Sequence, residues 1–288
     1  MIVINSFKKN YLRQMAEVKS FKENWNVWGK AARDKLGDNP SGQEIFDLVE
    51  SLDIFFKKSE GASPRRSQSN LASIGNIFEC FNQWFLNLLL WNTPIMALRF
   101  SKAYVPKIIR DCITVNIQNT HTNSETDIVI FTVPNYQMLK NVEDLNTHLT
   151  NNINGVDMVL LQCKTNWRDN AQVPMLWDIV YNSESNLDHV SVGINGVGPM
   201  ILNSFKYAFV TMPTGKEPAP NTMPVKRVEN LTGGNFWLKE TKADVAANIK
   251  ELPYRHFPRY YPEGIPNHIE KNLKDDKDHL FSFLNLNW

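Results

Sequence analysis

Cysteine is scarce in this chain, and its placement excludes a common class of metal protein. The 288 residues contain three cysteines, Cys80, Cys112 and Cys163. They lie far apart and form no CxxC pair, so a structural zinc site of the finger type is not expected. The odd count and an N-terminus without signal-peptide character predict a reducing, cytoplasmic environment.

Long apolar runs and an excess of one charge are also missing. The longest apolar segment, WFLNLLLWNTPIMAL at 84–98, is interrupted and shorter than the roughly 20 residues that cross a bilayer, so no membrane partner is expected. The net charge of +1 predicts no partner by itself, although a local basic patch for nucleic acid fits within a balanced total. Apolar residues, by contrast, make up 42% of the chain, which is enough for a large core.

Residues 1–65 are predicted to form a helical N-terminal region, and 66–288 the main domain. SGQEIFDLVESLDIFFKK at 41–58 opens with Ser41 and Glu44, the spacing of a capping box. SEGASPRRSQSN at 59–70 is typical of a loop. The segment that follows, 69–92, predicts a core-facing helix from apolar residues at helical intervals: Ile77, Phe81, Trp84, Phe85, Leu88 and Leu89.

The chain beyond Pro106 changes to strand-like patterns. We expect strands at 109–118, 126–133, 156–164 and 205–214, with NTHTNSE (119–125) as the turn between the first two. Short helices are expected within 134–155, at 171–183 and at 242–252, whereas GINGVGP (193–199) lacks the strand and helix context of a dinucleotide site and predicts a loop. The sum is an α/β fold with a central mixed β-sheet flanked by helices.

The stretch VDMVLLQCKTNW, 156–167, brings two polar side chains to one face of a buried strand. Gln162 and Lys164 lie two residues apart, so both point to the same side as the strand leaves the core. Asp127 stands at the head of the strand TDIVIF, and pairing of the two strands would bring it beside them. Taken singly, Asp127 also fits a turn residue and Lys164 a solvated side chain.

This set of groups has a use in phosphoryl chemistry. Mg²⁺ prefers hard oxygen ligands and takes one or two carboxylates with phosphate and water. Asp127 would be the anionic ligand, joined by the side-chain oxygen of Gln162 and the backbone carbonyl of Cys163. Lys164 would orient the attacking water or stabilise charge on the phosphorus. Asp157 is excluded, since five residues of strand put it about 16 Å from Gln162.

The residues Thr126-Asp127 and Gln162-Cys163-Lys164 resemble the PD-(D/E)xK nuclease superfamily, and within it type II restriction endonucleases. SIGNIFE, 73–79, is similar to the family's helix that lends an extra acid, here Glu79. Glu79 lies off the apolar stripe of this helix, so a solvated helix face fits it equally well. The resemblance covers roughly residues 70–215. It departs from the family pattern where Thr126 replaces a proline and where Gln162 replaces an acid.

This resemblance implies a Mg²⁺-dependent, sequence-specific endonuclease that cleaves double-stranded DNA as a homodimer in a prokaryotic cytoplasm. Two alternatives remain open. One is a nuclease of the same superfamily in DNA repair or another defence system. The other, which Gln162 keeps open because it removes a charge from the metal site, is a non-catalytic module that binds nucleic acid or protein on the same fold.

Two segments are candidates for DNA contact. TNWRDNAQ, 165–172, follows Lys164 directly and is rich in groups that can read base edges. PYRHFPRYYPEG, 253–264, interleaves basic and aromatic residues, although a proline-rich loop that packs its tyrosines has the same pattern. The predicted contacts are Asn166, Arg168, Asn170 and Gln172 in the first, Arg255 and Arg259 in the second, and Arg65 and Arg66 on phosphates.

Overall fold

The computed structural model describes residues 3–51, 68–100, 104–118, 120–122, 126–141, 143–164, 189–211, 222–223, 226, 248–276, 278 and 280. The helices are α1 (Val3–Ala16), α2 (Lys19–Leu36), α3 (Gly42–Asp47), α4 (Gln68–Leu89), α5 (Lys107–Ile113), α6 (Leu145–Asn151), α7 (Leu252–His256) and α8 (Ile265–Asp275). The strands are β1 (Ile95–Arg99), β2 (Val115–Ile117), β3 (Thr120–Thr122), β4 (Ile128–Thr132), β5 (Asp157–Lys164), β6 (Val190–Val192) and β7 (Ser204–Thr211).

A mixed sheet organises the described residues, in the strand order β1-β4-β5-β7. β4 runs antiparallel to both β1 and β5, whereas β7 runs parallel to β5. Alternate side chains along β4 enter two different hydrophobic clusters, Ile128 and Ile130 on one face and Val129 and Phe131 on the other. Helices α2, α4 and α8 cover the first face, and α1, α5 and α6 cover the second. The predicted α/β class, with a mixed sheet between helices, is confirmed.

Helix α4 is confirmed and forms the centre of one layer. All six apolar residues of its predicted stripe are buried. Aromatic contacts join it to α2, with ring centroids 4.9 Å apart for Trp25 and Trp84 and 6.0 Å apart for Trp28 and Phe81. Such pairs favour edge-to-face geometry and add stability beyond burial. The capping box at Ser41 and Glu44 is also present at the start of α3.

Two predictions between residues 107 and 125 are wrong. The segment expected to be a strand from Ile109 begins as helix α5, and a strand appears only at Val115. Pro106 stands at the N-cap and fixes the entry to the helix, and Ile109 and Ile113 bury the same face at i and i+4. The expected turn 119–125 contains strand β3, which pairs with β2 in a small sheet of order β3-β2-β6.

The predicted loop 193–199 is confirmed, and its glycines have a steric reason. Gly193 has φ +97°, and a Cβ atom there would lie 2.0 Å from the carbonyl oxygen of Val197. The helix predicted at 171–183 falls outside the described residues, as do residues 242–247 of the helix predicted at 242–252 and the domain boundary predicted near residue 65. Residues 248–251 form a bend and a turn, so that part of the second helix prediction is wrong; helix α7 begins at Leu252, with Pro253 in its first turn. None of the helices in the described ranges combines the length and apolar character that a membrane span requires.

Candidate active site

Asp127 is fixed by its backbone between two strand ends. It lies directly before β4, its N–H donates to the carbonyl of Leu161 on β5 (3.2 Å), and its carbonyl accepts from the N–H of Phe100 after β1 (2.8 Å). The register that pairs Ile128 with both Arg99 and Leu161 produces this placement. The residue is therefore tied to both neighbouring strands at the edge where β5 ends.

The carboxylate of Asp127 joins the two halves of the sequence motif. Its Oδ2 accepts a hydrogen bond from the backbone N–H of Cys163 at 2.6 Å. Cys163 is the central residue of the Gln162-Cys163-Lys164 segment, so the predicted approach of Asp127 to this segment is present in the structure. Lys164, partly exposed at the end of β5, acts electrostatically on Asp127 and lowers the pKa of its carboxyl.

Gln162 and Cys163 face opposite sides of the sheet, as strand alternation requires. Cys163 packs toward α4, where its sulfur lies 3.7 Å from the side-chain nitrogen of Asn82. Gln162 is 1% exposed and shares the other face with Leu160. Burial raises the pKa of the Cys163 thiol, so its thiol stays protonated and the backbone carbonyl is the hard ligand that this residue can offer.

Glu79 lies on α4 beside this strand end and does not point freely into solvent. Its Oε2 accepts from Nη2 of Arg99 at 2.7 Å and from Nε at 3.0 Å. The same guanidinium donates to Oδ1 of Asn76 at 3.0 Å. Glu79 and Asp127 line the same cleft, and charge repulsion from Glu79 raises the pKa of Asp127.

Arg99 is the functional candidate that the sequence did not reveal. It is the last residue of β1, a strand that the sequence analysis does not predict. The signal was present as Pro94 followed by a short apolar run that ends at an arginine. Arg99 supplies the positive charge between helix and sheet, and its charge lowers the pKa of Asp127.

The pKa of Asp127 is raised to about 7. Burial is the largest cause and repulsion from Glu79 the second, while the Cys163 N–H, Lys164 and Arg99 act in the opposite direction. A carboxylate pair that shares a half-buried edge is a place where a bound cation relieves repulsion.

The donors at this edge fit a hard cation such as Mg²⁺. Within the described ranges, no group of three or more His, Cys, Asp and Glu side chains is arranged to hold a metal. The structure places two carboxylates, those of Asp127 and Glu79, at one cleft, whereas the buried side chain of Gln162 lies on the sheet face opposite α4. Because Mg²⁺ commonly takes one or two carboxylates and completes its shell with water and phosphate, this set is compatible with it.

An open cleft of about 390 Å³ leads to the two carboxylates. Glu79, Asp127 and Arg99 line it, together with residues of α1, the link between α1 and α2, helix α4 and the segments after β1 and before β4. Gln162, Cys163 and Lys164 do not line this cleft, and Asp127 therefore contacts the cleft as well as the strand segment that carries these three residues.

Two of the residues predicted to contact DNA, Arg255 and Arg259, are among the described residues. Arg255 is exposed on α7. Arg259 pairs with Asp157 at 2.5 Å, at the start of β5, roughly 23 Å along the strand from Lys164. Tyr261 and Phe257 are buried, so this segment does pack its aromatic residues. The remaining predicted contacts lie outside the described residues: Arg65, Arg66, Asn166, Arg168, Asn170 and Gln172.

Comparisons of the chain with protein-family models, with curated proteins and with solved structures found no match. The assignment of a function therefore depends on the geometry and chemistry of the site.

Asp127→Asn should stabilise the metal-free protein above pH 7. The carboxyl has a pKa of about 7 when folded and about 3.9 when unfolded, so the folded state binds more protons between these values. Stability from this group is full below pH 4 and is lost as the pH rises through 7. Asparagine removes that loss, and Tm at pH 8 in a chelator should rise by about 2–4 °C for each kcal/mol recovered.

The Tm difference between Asp127→Asn and the wild type should shrink at pH 5. Asp34→Asn, at an exposed position of α2, is the matched control and should show no such pH-dependent difference. A variant that is less stable than the wild type at pH 8 would contradict the assigned environment of Asp127.

Proposed function

We propose that this chain is a Mg²⁺-dependent endonuclease for double-stranded DNA, of the type II restriction class, built on a restriction-endonuclease-like core. The observation that carries the proposal is the 2.6 Å hydrogen bond from Cys163 N–H to Asp127. It joins an aspartate at the head of one strand to the Gln-Cys-Lys segment at the end of its antiparallel neighbour, which is the arrangement that the sequence resemblance implies.

Helix α4 gives independent support. The resemblance implies an extra acid from the helix that precedes the sheet, and Glu79 lies on α4 close enough to raise the pKa of Asp127. Glu79 therefore supplies the negative charge that Gln162 does not. The metal would be held by Asp127, Glu79, the Gln162 amide oxygen and the Cys163 carbonyl, and when bound it would polarise the phosphate and lower the pKa of the attacking water.

The protein's own groups have distinct roles in this proposal. Lys164 orients the attacking water and stabilises the charge that develops on the phosphorus. Arg99 holds Glu79 in place through two hydrogen bonds to one carboxylate oxygen. The raised pKa of Asp127 makes its metal-binding form more populated as the pH rises above 7, so activity should increase over that range.

DNA recognition is proposed for the segment that leaves the site after Lys164. If β5 ends beside a scissile phosphate, the residues that follow Lys164 must run in or along a groove of the DNA. Asn166, Arg168, Asn170 and Gln172 carry side chains suited to guanine and adenine edges. A two-fold homodimer would present one such site to each strand of a palindromic sequence.

Digestion of plasmid and phage DNA with and without Mg²⁺ tests this function against its alternatives. Fragments with discrete ends support a restriction endonuclease. Unspecific nicking supports a nuclease of repair or of another defence system. Retained DNA binding without cleavage at any divalent metal supports the non-catalytic binding module.

Gln162→Glu should keep DNA cleavage and change the metal preference. Glutamate has the same length and adds one negative charge to the donor set, which favours metals that bind carboxylates tightly. Activity with Mg²⁺ and Mn²⁺ should be measured side by side, with Gln162→Leu as the variant that removes the oxygen donor. Complete inactivation by Gln162→Glu would show that an amide N–H bond, which a carboxylate cannot make, is required.

A further inference from the structure

The cleft beside Asp127 has a composition that the proposed metal chemistry does not use. Its volume of about 390 Å³ falls in the range of small-ligand pockets, roughly 300–1,000 Å³. Three aromatic residues line it, Tyr11, Phe100 and Tyr104. The rings of Tyr11 and Tyr104 meet nearly at right angles, with an interplanar angle of 80° and centroids 6.3 Å apart. This corner offers an aromatic face on which a flat ring can stack.

Gln83 on α4 adds a polar group inside the cleft. The residue is 3% exposed and lines the cleft. Its backbone carbonyl accepts from the side chain of Asn87, and its own side chain lines the cleft. The side-chain amide can therefore donate and accept hydrogen bonds with a ligand in the cleft.

The charges of the cleft disfavour the phosphate of a nucleotide and favour its base. Glu17, Glu79 and Asp127 contribute three carboxylates against the single guanidinium of Arg99. A phosphate is repelled by this balance, whereas a neutral ring that carries amino donors is attracted to it. An amide that both donates and accepts also matches the edge of a nucleobase.

We infer that this cleft binds one nucleobase of the DNA, taken out of the base stack next to the cleaved phosphate. The inference rests on the proposed nuclease function, because it is Asp127 that places a scissile phosphate at the mouth of the cleft. The base stacks against Tyr104 or Tyr11, and the Gln83 amide binds its edge. Removal of a base from the stack is a known route by which proteins read or process a nucleotide.

The test is a fluorescence titration with 2-aminopurine deoxyriboside in a chelator. This nucleoside is quenched when it stacks on an aromatic ring, so the wild-type protein should quench it in a saturable way. Tyr104→Ala should weaken binding at least about fivefold, the low end of what one base–aromatic stack contributes. Gln83→Leu should weaken it as well, and the 5′-monophosphate should bind no more tightly than the nucleoside.

Tyr254→Ala is the matched control, since Tyr254 is also an exposed tyrosine, 48% exposed against 38% for Tyr104, but lies outside the cleft. It should leave the titration unchanged. Absence of saturable quenching, or equal losses in the Tyr104 and Tyr254 variants, would overturn the inference. The titration needs no catalysis, so the two failures are distinguishable. DNA cleavage without nucleoside binding would remove only this inference. Nucleoside binding without cleavage at any metal would remove the endonuclease proposal and would overturn the placement of the base beside a cleaved phosphate.

Discussion

Replacement of Asp127 by alanine should reduce Mg²⁺-dependent DNA cleavage by roughly three orders of magnitude or more. Asp127 is hydrogen-bonded to both neighbouring strand ends, and in the proposed site it would supply anionic charge to the metal. Loss of several kcal/mol of metal-derived stabilisation corresponds to such a factor, since each 1.36 kcal/mol is about tenfold in rate. DNA binding should survive or tighten, because a negative charge beside the phosphate is removed.

The measurement is the rate of supercoiled plasmid cleavage together with DNA affinity in Ca²⁺ or chelator. Asp34→Ala, on the exposed face of α2, serves as the control and should cleave as the wild type does. Cleavage by Asp127→Ala at the wild-type rate would remove Asp127 from the catalytic site.

Lys164→Met should reduce cleavage by roughly 10²–10³-fold, the loss seen when one preorganised donor to a developing negative charge is removed. The substitution keeps most of the side chain's length and apolar character at the end of β5. Because the metal donors are intact, Mg²⁺ should still raise the melting temperature of this variant. The loss should therefore appear in the cleavage rate and not in metal binding.

Lys206→Met provides the comparison for Lys164, since Lys206 is an exposed lysine on the adjacent parallel strand β7. It should have little effect on the cleavage rate. If both lysine variants lose activity to the same degree, the effect of Lys164 is one of general electrostatic attraction to DNA and its position at the strand end has no special role.

The central strands could be predicted because burial and period agree. The middle residues of β4 and β5 are apolar, and the polar residues of both strands stand at or near the strand ends. The long helix α4 was predictable for the same reason, since its apolar residues repeat at helical spacing from Ile77 to Leu89, about three turns. The sequence therefore predicts that Asp127 and the Gln162–Lys164 segment lie at one sheet edge, and the hydrogen bond between Asp127 and Cys163 brings them together there.

The wrong or missing predictions concern short elements whose conformation depends on tertiary contacts. α5 has seven residues and three isoleucines, a composition that favours a strand, but Pro106 at its N-cap and burial of Ile109 and Ile113 make it helical. β1 was missed because its five residues continue an apolar run that the preceding helix had already explained. Local patterns carry little information at these lengths.

The pairing of Glu79 with Arg99 could not be derived from the sequence, because it depends on that missed strand. Twenty residues and a change from helix to strand separate the two side chains. Glu79 by itself was as compatible with a solvated helix face as with a site. The hydrogen bonds from Arg99 hold Glu79 at the cleft that Asp127 also lines.

The central claim is that Asp127, Lys164 and a divalent metal act together to hydrolyse DNA, and one assay tests it most directly. Wild-type protein, Asp127→Ala and Lys164→Met, purified in parallel, are incubated with supercoiled plasmid across a titration of Mg²⁺ and in EDTA. We expect discrete linear fragments from the wild type that depend on Mg²⁺, and none from either variant or in EDTA. Cleavage that persists in Asp127→Ala would contradict the account. So would a wild-type protein that binds DNA but does not cleave it with any divalent metal.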